Sequence, residues 1–329
     1  MNPQKEMDKI KLKSSHRVVL VVFIPKLEGY YLTIFDVLKL SIESLLATNN
    51  KFCEVTIVNN GSCEIVSEYL NNMYLDGRID CLIHHKENIG KIDAMIGAAR
   101  LSREELITLS DTDILFVKGW QQNIEKVFNS FKGVGSVSPI PVRKAFTYGT
   151  YSTLTKIILR KVKFSYEEIK ENFISHNRFL ESINWEVEHN DTLKWPVVEA
   201  NGVKAIVGSS HQIVTIRRSM LFDFVPKMPS FTLVGNNSEY DYVDLPIDLS
   251  GKMRLATYNN FAFHMGNRVE EWMYSIQTEN LKNKEIYRDE TDLKMEYSYK
   301  KSPDLVIFCY RLKKKIIKRC FMNFLKSGQ

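Results

Sequence analysis

The sequence predicts an α/β protein: a mostly parallel central sheet flanked by helices, with a helical extension at the C-terminal end. Three observations point there. Val18–Ile24 is an unbroken apolar run rich in β-branched residues, the pattern of a strand covered on both faces. Strand-like and helix-like segments then alternate through the first 160 residues, as βαβ units with right-handed crossovers require. The last 25 residues combine basic and apolar side chains and contain no acid.

Each element has its own reason. The strand at 18–24 stops at Pro25. Ile34, Val37, Leu38, Ile42, Leu45 and Leu46 follow helical spacing, and Asn49-Asn50 close that helix. Glu54–Val58 reads as a second strand running into the turn Asn59-Asn60-Gly61-Ser62. A helix at Glu64–Met73, a strand at Ile79–His84, a helix at Lys91–Arg100 and a strand at Leu106–Leu109 follow. Residues 143–200 differ in texture and read as an insertion, with a helix over Tyr166–Leu180. Strands are expected again at Ala205–Gly208, Gln212–Ile216, Met253–Thr257 and Asn260–His264, with a helix at Asp244–Ser250 stopped by Gly251. The domain plan is a polar tail (1–17), a main domain (18–275) that holds the insertion, and an extension (276–329).

Composition narrows the function. The 329 residues are 44% apolar and 26% charged, with 18 Phe, 15 Tyr and 4 Trp, too many aromatics for a disordered chain. No apolar run approaches the roughly 20 residues that span a bilayer. The polar, lysine-rich start has no secretory signal pattern, so a cytoplasmic location is expected. Five cysteines without CxxC spacing predict reduced structural thiols. The net charge of +6 is uneven: residues 305–329 carry seven basic side chains, leaving −1 for the rest. A neutral body argues against nucleic acid as its partner.

Sites in such sheets lie beyond the carboxyl ends of the strands. Asp111-Thr112-Asp113 follows a hydrophobic strand, and two carboxylates so spaced can share Mg²⁺ or Mn²⁺; the alternative is a polar, helix-capping turn. Gly90-Lys91 opens a helix whose free N–H groups would favour a diphosphate, with the Lys91 charge beside it. A solvated lysine is the alternative.

In order along the chain stand Val58-Asn59-Asn60-Gly61-Ser62, Asn88-Ile89-Gly90-Lys91, Asp111-Thr112-Asp113 and Ala262-Phe263-His264-Met265-Gly266-Asn267. In this the chain resembles the family-two glycosyltransferases, over roughly residues 17–267. The resemblance implies a GT-A-type catalytic domain over 18–275, with a nucleotide-binding half (18–120) and an acceptor half (201–267). It further implies an inverting, metal-dependent transfer from a nucleotide-diphosphate sugar to a glycan or lipid-linked glycan, in bacterial-type surface polysaccharide synthesis. It implies Mn²⁺ or Mg²⁺ held by Asp111, Asp113 and His264, and a donor held by Pro25, Asn59, Asn60, Asn88, Gly90, Lys91, Asp111 and His211. The family often has Asp where Asn59 stands, and the residues after Pro25 depart from its usual turn. It also carries a Glu-Asp pair about a dozen residues before a glycine. Counting back from Gly251 favours Glu239, with Tyr240 where the Asp would be, and a shift of one or two residues favours Asp241. Asp241 is taken as the catalytic base with Glu239 close behind, and Asp244 as a cap for the helix containing Pro246.

Other readings stay open. A sugar nucleotidyltransferase would need a glycine- and arginine-rich loop after the first strand, which Pro25–Gly29 lacks. A non-catalytic glycan- or nucleotide-binding relative would keep metal-dependent nucleotide binding without turnover. Trp185 and Trp195 are candidate sugar platforms or core residues. In the tail, Leu305, Phe308, Leu312 and Ile316 make a helical stripe with Arg311, Lys314, Lys315 and Lys318 mainly off it. That suits an anionic membrane surface on the inner face of the cytoplasmic membrane, or a helix docked on the body or on a second subunit.

Overall fold

The computed structural model describes residues 12–50, 53–282 and 304–327. The chain runs through β1 (His16–Val22), α1 (Ile34–Thr48), β2 (Cys53–Asn60), α2 (Glu64–Leu75), β3 (Cys81–His85), α3 (Lys91–Leu101), β4 (Leu106–Ser110), β5 (Ile114–Phe116), α4 (Trp120–Ser130) and β6 (Val134–Ser138). It continues with α5 (Tyr151–Ile158), β7 (Lys163–Glu168), α6 (Lys170–Ser182), β8 (Lys194–Ala200), β9 (Val203–Val207), β10 (Ile213–Arg217) and α7 (Arg218–Asp223). Last come α8 (Leu245–Leu249), β11 (Met253–Thr257), β12 (Ala262–His264), α9 (Glu271–Lys282) and α10 (Asp304–Ser327).

Ten strands form one sheet in the order β3-β2-β1-β4-β10-β6-β11-β9-β8-β7. Strands β7, β9 and β10 run against the other seven, so the sheet is mostly parallel in direction, and it is wholly so from β3 to β4. Strand β1 is buried at every position. Its alternate residues enter opposite layers: Val18, Leu20 and Val22 meet α1 and α2, while Val19 and Val21 meet α3. Each such side chain contributes roughly 1.5–3 kcal/mol when removed from water.

The insertion expected at 143–200 supplies the two strands at the sheet's far edge, β7 and β8, and the helix α6. That helix begins at Lys170, not at Tyr166, because Tyr166, Glu167 and Glu168 pair with Pro196, Trp195 and Lys194 of β8. Tertiary pairing overrides the local helical spacing. Trp195 is buried in the layer beneath, a core residue and not a platform. Trp185 is half exposed, with the Lys144 ammonium 3.8 Å from its ring centre.

Helix α10 docks on the body. Phe321 is buried against Phe146 and Phe164, and Tyr310 donates to Asp248 at 2.5 Å. Asp248 also accepts from the backbone N–H groups of Tyr151 and Ser152, so one buried carboxylate ties α5, α8 and α10 together. The docked face is not the stripe expected from the sequence. Leu312 and Ile316 of that stripe are 60% and 56% exposed, and the side chains of Leu305 and Phe308 lie outside the described residues. Among the described residues no helix is long and apolar enough to cross a membrane.

Candidate active site

Four of the strand-end motifs meet beyond the carboxyl ends of β1, β2 and β4. Asp111 follows β4 directly and is fixed by its N–H donating to the Gln212 carbonyl at 2.8 Å. The late histidine arrives by local pairing: β12 runs antiparallel to β5, with His264 opposite Ile114, and Met265 N–H donates to the Asp113 carbonyl at 2.8 Å. His264 Nε2 thereby lies 3.2 Å from Asp113 Oδ2. On the ring's other side, Nδ1 lies 2.8 Å from the Ser182 hydroxyl. Ser182 gives its own hydrogen to the Phe179 carbonyl at 2.7 Å, so its oxygen accepts from Nδ1–H and leaves Nε2 to face Asp113. Burial works against charge on this ring, but the hydrogen bond and charge of Asp113, with Asp111 behind, outweigh it, so the His264 pKa is raised.

Lys91 crosses to the same place. Its ammonium is 2.7 Å from Asp111 Oδ1 and 3.6 Å from Glu239 Oε1. Burial would lower its pKa, yet the Asp111 charge and hydrogen bond raise it, so it stays a cation. Burial, helped by neighbouring Asp113, raises the Asp111 pKa against the pull of Lys91.

The helix terminus itself is not an open anion site. Gly90, at φ +98, sits where a Cβ would meet the Thr232 carbonyl oxygen at 2.3 Å. The Lys91 N–H donates to the Leu233 carbonyl at 2.9 Å, and Asp93 accepts from Ser230 and Phe231 N–H groups. The loop at 230–233 therefore covers the first turn of α3. The Lys91 side chain, not the helix amides, is the positive group beside Asp111.

The asparagines are structural neighbours of the site. Asn59 is buried, donating to Ser67 and lying 3.0 Å from His84 Nδ1, while its oxygen accepts from Ser62 N–H. Asn60 donates to Asn88 and accepts from Ile89 N–H, and Asn88 also accepts from Gly90 N–H. This chain of amides shapes the loop that aims Lys91. Pro25 is exposed just beyond β1, whose end is tied to the Ser62 turn by Ile24 N–H donating to the Ser62 hydroxyl.

Of the two candidate bases, Glu239 faces Lys91, whereas Asp241 is exposed. Residues Tyr240–Asp244 form a single π-helical turn ahead of α8. The residue that the count back from Gly251 favours, Glu239, is the one that reaches Lys91. Asp244 makes no capping hydrogen bond. It is buried between Arg254, whose Nη2 donates to it, and His211, whose Nδ1 is 3.3 Å away. Burial lowers the His211 pKa, but the Asp244 hydrogen bond and charge reverse this and raise it.

As a cation site, the set is partly assembled. Among the described residues no three His, Cys, Asp or Glu side chains converge as ligands would. Asp113 and His264 do meet, and Asp113 Oδ1 is buried with no hydrogen-bond partner among the described residues. Oxygen and imidazole donors with open positions suit Mn²⁺ or Mg²⁺, which keep waters or diphosphate oxygens as further ligands. Asp111 is turned instead to Lys91.

Residues 31–182 match the family model described as Glycosyl transferase family 2. No curated protein sequence matches the chain. Among solved structures it is similar to the mannosyltransferase PcManGT from Pyrobaculum calidifontis in complex with GDP-Man and Mn²⁺, at 14% identity and a TM-score of 0.42. That match covers 75% of this chain and 55% of the other, so the chain spans little more than half of that relative's length. It is also similar to residues 1–349 of S. aureus TarS, at 10% identity and a TM-score of 0.44, over 76% of this chain and 60% of that one. The segment 31–182, which carries three of the four strand-end motifs, is thus similar to the family-two glycosyltransferases.

Proposed function

We propose that the protein transfers a sugar from a nucleotide-diphosphate sugar to a glycan or lipid-linked glycan, with inversion at the anomeric carbon, in polysaccharide synthesis. The observation that carries the reading is the convergence of Asp113, His264, Asp111, Lys91 and Glu239 at the carboxyl end of β4. In this reading Asp113 and His264 hold Mn²⁺ or Mg²⁺, which when bound stabilises the leaving diphosphate as a Lewis acid. Lys91, oriented by Asp111, adds a second positive charge for the same diphosphate. Ser182 keeps the His264 ring turned so that Nε2 is the atom presented. Glu239 takes the proton of the attacking acceptor hydroxyl. Asp241 is set aside because it is exposed, while Glu239 reaches the Lys91 ammonium. His211, held by Asp244, stands behind the site as a donor-side contact.

The proposal includes an anionic membrane surface as a partner of α10. Exposed Leu312, Ile316 and Phe324 form a stripe distinct from the docked face, and Arg311, Lys315, Lys318 and Arg319 are exposed beside it. Apolar area next to basic charge is the composition that binds acidic headgroups. Co-sedimentation with phosphatidylglycerol vesicles, absent with phosphatidylcholine alone, tests this part.

The donor site is tested by thermal stability with UDP, GDP, dTDP and CMP, each with and without Mn²⁺. A ligand at 100 times its dissociation constant adds about 2.7 kcal/mol. The expected result is one nucleotide that raises the midpoint only with Mn²⁺ and only with Asp113 intact. No shift with any nucleotide would overturn the reading, and a shift without turnover on any acceptor would identify a binding protein.

A further inference from the structure

Beside His264 lies a cavity of about 480 Å³, within the range of small-ligand sites. One wall is α6, through Arg178, Glu181 and Ser182, and the other is the segment from His264 to Met273 at the start of α9. The two walls are locked together. Gly266, at φ +70, passes so close to α6 that a Cβ would meet the Ser182 carbonyl oxygen at 3.2 Å. The Arg178 guanidinium lies 4.4 Å from the Trp272 ring centre, and the Trp272 N–H donates to Glu270 at 2.8 Å. The indole is thus fixed before any ligand arrives.

Apart from His264, which is turned to Asp113, the charges of the polar lining balance: Arg178 and Arg268 against Glu181 and Glu270, with the amides of Asn184 and Asn267 beside them. A net positive pocket would select phosphate, and an apolar one would select lipid. Donors and acceptors in equal measure around a fixed indole suit a neutral, polyhydroxylated ring, whose hydroxyls pair with charged groups while its C–H face lies on an aromatic surface. The cavity also shares His264 with the Asp113 site, so a sugar in it ends next to the reacting centre.

We propose that this cavity binds the terminal, uncharged sugar of the glycan acceptor, with Trp272 and Glu181 as its recognition residues. The inference rests on the transferase reading above and assigns α6 its role: the segment 170–182 builds the acceptor site. Neither Trp185 nor Trp195 lines it.

The test uses the full chain labelled with 5-fluorotryptophan, whose four ¹⁹F resonances are assigned with Trp272→Phe and the corresponding single variants. Glucose, galactose, mannose, N-acetylglucosamine and N-acetylgalactosamine are titrated with Mn²⁺ and the nucleoside diphosphate that stabilises the protein. At least one sugar should move the Trp272 resonance saturably, leaving the buried Trp120 and Trp195 unmoved. Glu181→Ala should weaken that binding by about tenfold or more, as loss of a charged hydrogen bond does. Glu181 is exposed, and unchanged Trp120 and Trp195 signals report an intact fold. No sugar acting on Trp272, or Glu181→Ala binding as the parent does, overturns the proposal while nucleotide binding leaves the donor reading standing. Sugar binding with no nucleotide bound under any condition overturns the acceptor assignment together with the donor reading.

Discussion

Replacing Asp244 with alanine should unsettle the protein more than any surface change near the site. Asp244 and Arg254 are each 1% exposed at the side chain, and Arg254 Nη2 donates to Asp244 Oδ1. Without its partner the guanidinium stays buried and charged, a loss that typically runs to about 3–5 kcal/mol. Arg254 still donates to the carbonyls of Tyr148, Gly149 and Ser209, which solvate part of that charge. The lower end, about 3 kcal/mol, is therefore expected, or a fall in Tm of roughly 4 °C for a chain of this length. Scanning calorimetry measures the single variants Asp244→Ala and Arg254→Ala and the double variant. The double should cost less than the sum of the singles by about 1–3 kcal/mol. Additive singles, or a loss under about 1 kcal/mol for Asp244→Ala, would refute the view that the pair acts as a unit. The same variant should lower the His211 pKa, read by NMR, because the group that holds it up is gone.

Other outcomes follow from the same contacts. Glu239→Gln should lower kcat by about 10²–10⁴-fold with nucleotide binding retained, and Asp241→Asn should stay near the parent rate in the same transfer assay. At the opposite end of the sheet, burial would raise the Glu104 pKa, but hydrogen bonds, Arg17 foremost, push it down to about 2. A depressed carboxylate stabilises the fold above its unfolded pKa near 4.5 and loses that contribution as pH falls toward 2. Urea denaturation from pH 6 to pH 2.5 should therefore show a shallower acid loss in Glu104→Gln, from a lower starting stability. Phe321→Ala should cost about 3–5 kcal/mol and speed amide exchange along α10.

The motifs that carry Asp111, Asp113 and His264 were legible because they are local. A buried strand that ends in Asp111-Thr112-Asp113 needs only its own residues to be recognised, and His264 was found through the short motif around it. The choice of base was harder: the count from Gly251 points to Glu239 and a shift of one or two residues to Asp241, and only the folded chain shows that Glu239 reaches Lys91 while Asp241 is exposed. Helix α10 has apolar residues on two faces, so periodicity alone could not say that Tyr310, Ile317 and Phe321 dock while Leu312 and Ile316 remain outside. Trp272 and Arg178 escaped notice for a related reason. Their partnership exists only once α6 and the start of α9, far apart in the chain, pack against each other. Asp244 looked like a cap because its position suits one, and Arg254 claimed it instead.

The ribbon of β5 and β12 has a consequence for how this protein can change. Three residue pairs carry His264 to Asp113, and the ribbon is tied to the body as well, with Phe116 N–H donating to Ser44 and Asn280 donating to the Phe116 carbonyl. The ribbon sets where the histidine sits, whereas Ser182 of α6 sets how its ring is turned, so a change in α6 can rotate the ring without displacing its backbone. Position and orientation are thereby held by separate parts of the chain and can be altered one at a time.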